Sequence, residues 1–496
     1  MNVLLVYPEF PDTFWSFKHA LTFIRKPASQ PPLGLLTVAG MLPRDWALRL
    51  VDLNVRPLSD ADLAWADCAF ISAMAVQCAS AEQIIARCSA AGVRTVAGGP
   101  LFTSQRDRFP AVDHLVLDEA EVTLPVFLED LARGRPQRVY SRVEHPDLRG
   151  SPVPRWDLVD LDAYASMPVQ FSRGCPYDCE FCDVTALFGH RPRVKSASQI
   201  VAELDGLYDL GWRGPVFFVD DNLIGNRKSL KTELLPALLE WKRSRRGMPF
   251  HTQASINLAD DEGLMRMMAR AGFGTVFVGI ETPEEEGLVE CSKKQNLHRD
   301  LVADVKRIQR AGIEVRGGFI IGFDSDSPGT IERLLTYVQQ SGIVTAMVGL
   351  LQALPGTRLY DRMKRTGRLL EQGSGDNVDG TTNIVPAAGL DVLRAAYRDA
   401  LERLYAPKAY YRRVRTFLRE YRPPRLKLRL DLAFLWEQAA AFARAAFRLG
   451  IVGRGRIEYW KLLSWTLIRR PRAFSQAVTL AIYGYHFRTV CELHVA

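Results

Sequence analysis

The chain has no uncharged apolar run of about 18 residues, the length a spanning helix needs. Its best candidate, AFSQAVTLAIYGYHF (473–487), is too short and too polar, so no transmembrane helix is expected. No basic segment precedes the apolar start MNVLLVYPEF, which reads as a first strand rather than a secretion signal, and the expected location is the cytoplasm. Cysteine is scarce: eight in 496 residues, too few and too scattered for a disulfide scaffold. Outside one cluster, Cys68, Cys78, Cys88, Cys291 and Cys491 read as small buried hydrophobes. No Gly-x-Gly-x-x-Gly follows the first strand, where VYPEFPDTFW stands, which argues against dinucleotide binding. Acidic residues are sparse at one end: residues 401–496 hold 19 Lys and Arg against 6 Asp and Glu, whereas residues 1–400 hold 45 against 50. Hydrophobic content of 47% and charged content of 24% are otherwise those of an ordinary soluble globular protein, long enough for two or three domains.

What is present alternates. From residue 1 to about 140, VLLVYP (3–8), LRLVDLN (48–54), CAFISAM (68–74), RTVAGGP (94–100) and HLVLDE (114–119) are separated by helical stretches, which predicts an open, mostly parallel α/β sheet. Ligands of such sheets sit beyond the carboxyl ends of the strands, here Asp52-Leu53-Asn54, Ser72-Ala73-Met74 and Gly98-Gly99-Pro100. Residues 141–168 are rich in breakers and read as a linker. A second series over 169–372 offers strands at 169–175, 215–221, 250–255, 275–281, 315–323 and 346–354, which predicts an incomplete (β/α)6 barrel. Residues 373–496, beginning with the polar loop GSGDNVDGTTNI, are expected to form a basic helical domain.

The cluster is RGCPYDCEFCD (173–183), with Cys175, Cys179 and Cys182 spaced C-x3-C-x2-C at the end of the first barrel strand. Thiolates are soft ligands that favour zinc or iron–sulfur clusters. Structural zinc wants four ligands, commonly as two separated pairs, and a Cys3His site completed by His190 is the zinc alternative. Three ligands on a four-iron cluster leave one iron open to a small molecule.

This motif, with Phe181 before the third cysteine, resembles the radical S-adenosylmethionine (SAM) enzymes. The resemblance implies a 4Fe-4S cluster on Cys175, Cys179 and Cys182, with SAM chelated on the free iron. It also implies SAM contacts at Phe181, at Asp220-Asp221-Asn222 where Gly-Gly-Glu is more usual, at Ser255 and Glu281, and at Pro355 in LPGT. The front domain resembles that of the cobalamin-dependent branch, which implies corrinoid contacts at Asp52, Asn54, Ser72, Met74, Gln77, Gly98, Gly99, Thr103 and Glu119. Where many corrinoid domains carry Asp-x-His-x-x-Gly, this chain has Asp52-Leu53-Asn54-Val55-Arg56-Pro57, so no histidine ligand to cobalt is expected.

The chain is most similar in character to a subgroup of bacteriochlorophyll side-chain methylases, with hopanoid methylases more distant. The implied reaction is methylation of an unactivated carbon of a tetrapyrrole, isoprenoid lipid or other natural product. The implied partners are a small lipophilic substrate and a one-electron reductant such as flavodoxin or ferredoxin, with no nucleic acid. A non-methylating cyclisation or rearrangement with the same cofactors is the alternative within the class, and a zinc-binding sensor or scaffold is the alternative outside it. The basic tail reads either as a solvated helical face or as a surface for peripheral contact with the inner membrane.

Overall fold

The computed structural model describes residues 1–370, 373–376, 378–422 and 432–495. The expected α/β class is what it shows: two six-stranded sheets, wholly parallel, followed by a helical tail.

The first sheet has the order β2-β1-β3-β4-β5-β6. Its strands are β1 Asn2–Tyr7, β2 Ala47–Asp52, β3 Cys68–Ser72, β4 Arg94–Gly98, β5 His114–Val116 and β6 Val139–Tyr140. The near-continuous apolar runs of β1 and β3 follow from burial on both faces. One apolar cluster, with Ile84, Ile85 and Phe102, covers one face, and another, with Leu35, Phe70 and Phe127, covers the other. The strand order reverses between β1 and β3, which opens a crevice beyond their carboxyl ends. The short β6 had no counterpart among the expected strands.

The second sheet has the order β14-β13-β12-β11-β10-β7, an open six-stranded barrel. Its strands are β7 Met167–Val169, β10 Val216–Phe218, β11 Phe250–Gln253, β12 Phe273–Glu281, β13 Glu314–Ile321 and β14 Ala346–Leu350. Between β7 and β10 lies a small antiparallel ribbon of β8 Ser172–Arg173 and β9 Arg193–Val194. The first barrel strand therefore stops at Val169 instead of running to Cys175. The backbone N–H groups of Phe171 and Ser172 donate to the Asp220 carboxylate, which bends the chain out of the sheet and into the ribbon.

The connector at 141–168 has no long element, yet it is packed: Leu148, Trp156 and Tyr164 are buried. The segment after β1 crosses to the barrel, where Phe14 stacks on Phe487 at 4.1 Å and Trp15 meets Phe277 of β12 edge-on. Phe14 and Phe23 accordingly belong to the barrel and tail core. The tail consists of helices Leu390–Tyr405, Pro407–Glu420, Leu432–Phe447, Arg456–Arg469 and Phe474–Val495. Among the described residues, no helix is long and apolar enough to cross a membrane.

Candidate active site

The cysteine loop leaves the ribbon at Gly174, whose φ of 93° and close approach to the carbonyls of Phe188, Gly189 and Arg191 leave no room for a Cβ. Its N–H donates to Asp221 at 3.0 Å. Glu180 is gripped by Arg362 at 2.8 and 2.9 Å, and Arg358 donates to the Asp178 carbonyl, so the helix Arg358–Arg365 brackets the loop from outside. Phe181 packs against the apolar group of Cys291, Phe323, Leu359 and Met363.

Burial raises the Cys175 thiol and pushes Cys182 up to about 12, so bare thiolates are disfavoured in this loop and a soft metal would have to displace their protons. All three cysteines lie within electrostatic reach of one ammonium, Lys293. Burial alone would lower that ammonium, but Glu281 at 2.6 Å and the thiols of Cys179 and Cys182 hold it above the ordinary lysine range. Glu281 itself sits at φ 65°, a left-handed conformation rare for a side chain of its size, at the carboxyl end of β12. Gln295 donates to the Cys179 sulfur at 3.7 Å, while its own Oε1 is buried without a hydrogen-bond partner.

On the opposite side, Asn222 donates to the Cys175 sulfur at 3.9 Å and to Ser255 Oγ at 3.2 Å. Ser255 continues to Asn257 at 2.7 Å, and Asn257 to Tyr177 OH at 2.6 Å, returning to the loop. Asn222, Ser255 and Glu281 are thus brought together around the three cysteines. Pro355 is half-buried in a turn that caps the helix Arg358–Arg365 and lies close to Ala186.

Asp220 and Asp221 differ from the expectation that they face a ligand. Asp220 is fully buried, accepts from Ser172 Oγ at 2.6 Å, and is pushed up to about 7 by desolvation. Asp221, pushed by burial to about 6, holds Gly174. Both orient the loop through its backbone.

The fit to a cluster is physical. Among the described residues, no three or more His, Cys, Asp or Glu side chains gather closely enough to hold one metal ion, and His190 is exposed. A four-iron cluster puts each thiolate on a different iron, so it does not require them to meet around one ion. The orphaned Gln295 oxygen and the buried ammonium add polar groups aimed at the same space.

The front crevice is equally ordered. Asn54 accepts from Phe10 N at 2.8 Å and donates to Asp52 at 2.7 Å and to the Pro8 carbonyl at 3.2 Å. Its carboxamide is thus engaged by the loop after β1 and by the end of β2. Asp52 also accepts from Tyr164 OH at 2.9 Å, and Gln77 is buried, holding Pro8 and Met74. Gly99, at φ 90°, passes so close to Ser72 Oγ that a Cβ would lie 2.6 Å from it, and Gly98 is similarly tight against Val116. Met74 is half exposed above the crevice. Thr103 lines a polar cleft of about 270 Å³ with Gln105, Arg106, Arg108, Asp118 and Ser141.

Glu119 departs from its expected role. Its carboxylate is buried and held by Arg173 at 2.8 Å, Arg193 at 2.7 Å and His145 at 2.9 Å, while Glu121 accepts from both terminal nitrogens of Arg173 and Gln170 from its Nε. Because Arg173 immediately precedes Gly174 and Cys175, this network clamps the front domain to the root of the cysteine loop. Lys293 and Gln295 escaped the sequence reading because they approach the loop from more than a hundred residues downstream, and the clamp because Arg173 meets Glu119 and Glu121 more than fifty residues upstream.

A parallel sheet with its crevice at the strand-order switch thus leads into an open barrel that carries three thiols at its mouth. Residues 169–338 match the radical SAM superfamily, and residues 357–496 match a domain of unknown function (DUF4070). An uncharacterised methyltransferase of Synechocystis is 42% identical over 99% of this chain and 92% of its own length. The hopanoid C-2 methylase of Rhodopseudomonas palustris is 34% identical over 94% of this chain and 90% of its own. The cobalamin-dependent SAM radical enzyme OxsB shares the fold with a TM-score of 0.61 at 13% identity, covering 99% of this chain and 80% of that one. The chain belongs to the radical SAM enzymes, among their methyltransferases, and its cofactors are a 4Fe-4S cluster and SAM.

Proposed function

We propose that the protein methylates an unactivated carbon of a polycyclic isoprenoid lipid of the hopanoid type, using Cys175, Cys179 and Cys182 to hold the cluster. The observation that carries the site assignment is the convergence of three thiols, Cys179 buried and Cys175 and Cys182 half-buried, on the single ammonium of Lys293. The lipid class is supported by the 34% identity to the hopanoid C-2 methylase over nearly the whole of both chains. The bacteriochlorophyllide d C-12(1)-methyltransferase of Chlorobaculum tepidum, 23% identical over 67% of this chain, makes a tetrapyrrole the second reading.

When bound, the cofactors supply one-electron cleavage of SAM and a methyl group for transfer to carbon. The chain's own residues position and shield. Lys293 places a positive charge where the cluster and the SAM carboxylate bring negative charge, and Glu281 fixes that ammonium. Asn222 and Ser255 offer amide and hydroxyl groups beside Cys175. Phe181 and its apolar neighbours exclude water from one flank of the loop. The front crevice, bordered by Ser72, Met74, Gly98 and Gly99, would receive the corrinoid, with the Asn54 carboxamide held by Phe10, Pro8 and Asp52. The domain limits that go with this reading are 1–140 for the corrinoid unit, 169–372 for the barrel and 373–496 for the tail. A small one-electron donor of the flavodoxin or ferredoxin kind completes the system.

Incubation of anaerobically reconstituted protein with methyl-labelled SAM and a hopanoid lipid tests this reading. Label is expected in a new methyl group on a ring carbon of the lipid. Label in a bacteriochlorophyllide instead would favour the tetrapyrrole, and deoxyadenosine release without label transfer would reject methylation.

A further inference from the structure

The tail helices Leu432–Phe447 and Arg456–Arg469, joined through Arg448–Val452, carry an unusual surface. The second buries Tyr459, Leu462, Leu463 and Thr466 against the body of the protein. On its other side Ile457, Trp460, Leu467 and Ile468 are 44–78% exposed. Their spacing of three, seven and one residues keeps them within one stripe about 100° wide. A soluble helix normally turns charged residues outward, so this one is apolar on both faces. The stripe is bordered by exposed Arg456 on one side and Lys461 on the other. At the junction between the helices, Phe447, Ile451 and Val452 are also largely exposed, with Arg448 and Arg454 beside them.

A second feature lies at the far end of the same helix. Arg419, Trp465, Arg469 and Arg470 line a cleft of about 460 Å³. Arg470 is engaged by the carbonyls of Leu418, Arg419 and Tyr421 at the end of the helix Pro407–Glu420, which leaves Arg419 and Arg469 to meet a ligand. Cations placed next to Leu467 and Ile468 match an anionic headgroup next to its acyl chains. Glu437 and Glu458 are the acidic residues within residues 432–469, so the field over this surface is positive.

We propose that this helix pair is a monotopic docking surface for an anionic phospholipid bilayer, with Ile457, Trp460, Leu467 and Ile468 entering the interface and the Arg419–Arg469 cleft taking a lipid phosphate. An apolar stripe with a basic border is what interfacial binding requires, since neither apolar area nor charge alone holds a protein firmly on a membrane. The surface extends the proposed function, on which its biological purpose rests: a lipid substrate is delivered from the bilayer. The surface itself is read without that substrate.

The test uses the full chain with its cofactors, mixed with vesicles of phosphatidylcholine alone or of phosphatidylcholine with phosphatidylglycerol. Sedimentation with the phosphatidylglycerol vesicles is expected, weakening at high salt. Paired Ile457→Ser and Ile468→Ser substitutions, and separately Arg469→Glu, should each lower partitioning about tenfold or more while the visible cofactor spectrum is unchanged. Absence of phosphatidylglycerol-dependent binding, or wild-type binding by both variants, overturns the proposal. So does light scattering that shows a dimer dissociated by the serine pair, because a second copy would then cover the stripe. Methylation separates this result from the previous one. Slower reaction of the variants on vesicle-embedded substrate, with unchanged reaction in detergent, supports docking. Vesicle binding without methylation of any hopanoid leaves docking standing and rejects the lipid substrate.

Discussion

The cysteine loop and the tail helix pair place groups against their usual preference in opposite ways. Around Cys175–Cys182, charges lie inside the protein and several are matched: Lys293 by Glu281, Arg173 by Glu119 and Glu121, Arg362 by Glu180. In the helices Leu432–Phe447 and Arg456–Arg469, apolar side chains lie outside, uncovered by the described residues. Buried ion pairs are costly to assemble and more costly to break, so their density marks a region whose geometry must not move. Uncovered apolar stripes lower solubility, so their retention marks a region completed by something else. The first region hosts chemistry and the second meets the environment.

The sharpest way to break the comparison is at the thiols. Replacing Cys175, Cys179 or Cys182 by alanine should abolish the cluster's visible absorption and deoxyadenosine release together, because two remaining ligands do not hold the cluster open to SAM. Next in size is Lys293→Met. It leaves the Glu281 carboxylate buried without its counter-charge, and urea unfolding of the iron-free chain should show a loss of about 3–5 kcal/mol. Adding Glu281→Gln to that variant should recover most of it, since both charges are then gone.

The clamp gives a smaller, pH-dependent effect. Burial works against the Glu121 charge, yet Arg173 holds its carboxyl down at about 2. A lowered folded-state pKa contributes stability that is present above the unfolded value near 4.5 and is lost as pH falls toward 2. Wild-type stability measured from pH 6 down to pH 3 should therefore fall, and Arg173→Ala should start about 1–3 kcal/mol lower and fall less steeply. The smallest effect belongs to the tail stripe. Trp460→Ser should change unfolding free energy by no more than about 1 kcal/mol, since its ring keeps only one hydrogen bond, to the Gly450 carbonyl, while membrane partitioning drops.

Legibility followed distance along the chain. The three cysteines stand within eight positions, so their common purpose is written locally. The β1, β3 and β12 runs are apolar enough to declare themselves, and the strands differ from expectation mainly at their carboxyl ends. The first barrel strand was overextended because Asp220, fifty residues downstream of Gln170, supplies the acceptor that bends it away. Glu119 looked like a crevice residue because it follows β5, but Arg173 and Arg193 reach it from the barrel side. Lys293 sits in an unremarkable CSKKQ stretch, and only the return of the chain after β12 carries it to the thiols. The tail's basic excess was countable, whereas the outward aim of its apolar stripe depended on which face packs against the core.

Metal and sulfide analysis of anaerobically purified wild-type protein, read with its visible spectrum, bears most directly on the central claim that three thiols hold a cluster with one iron left open. The account predicts brown protein with about four irons and four sulfides per chain, together with cobalt after loading with cobalamin. Colourless protein with one zinc per chain and no cobalt uptake would contradict it.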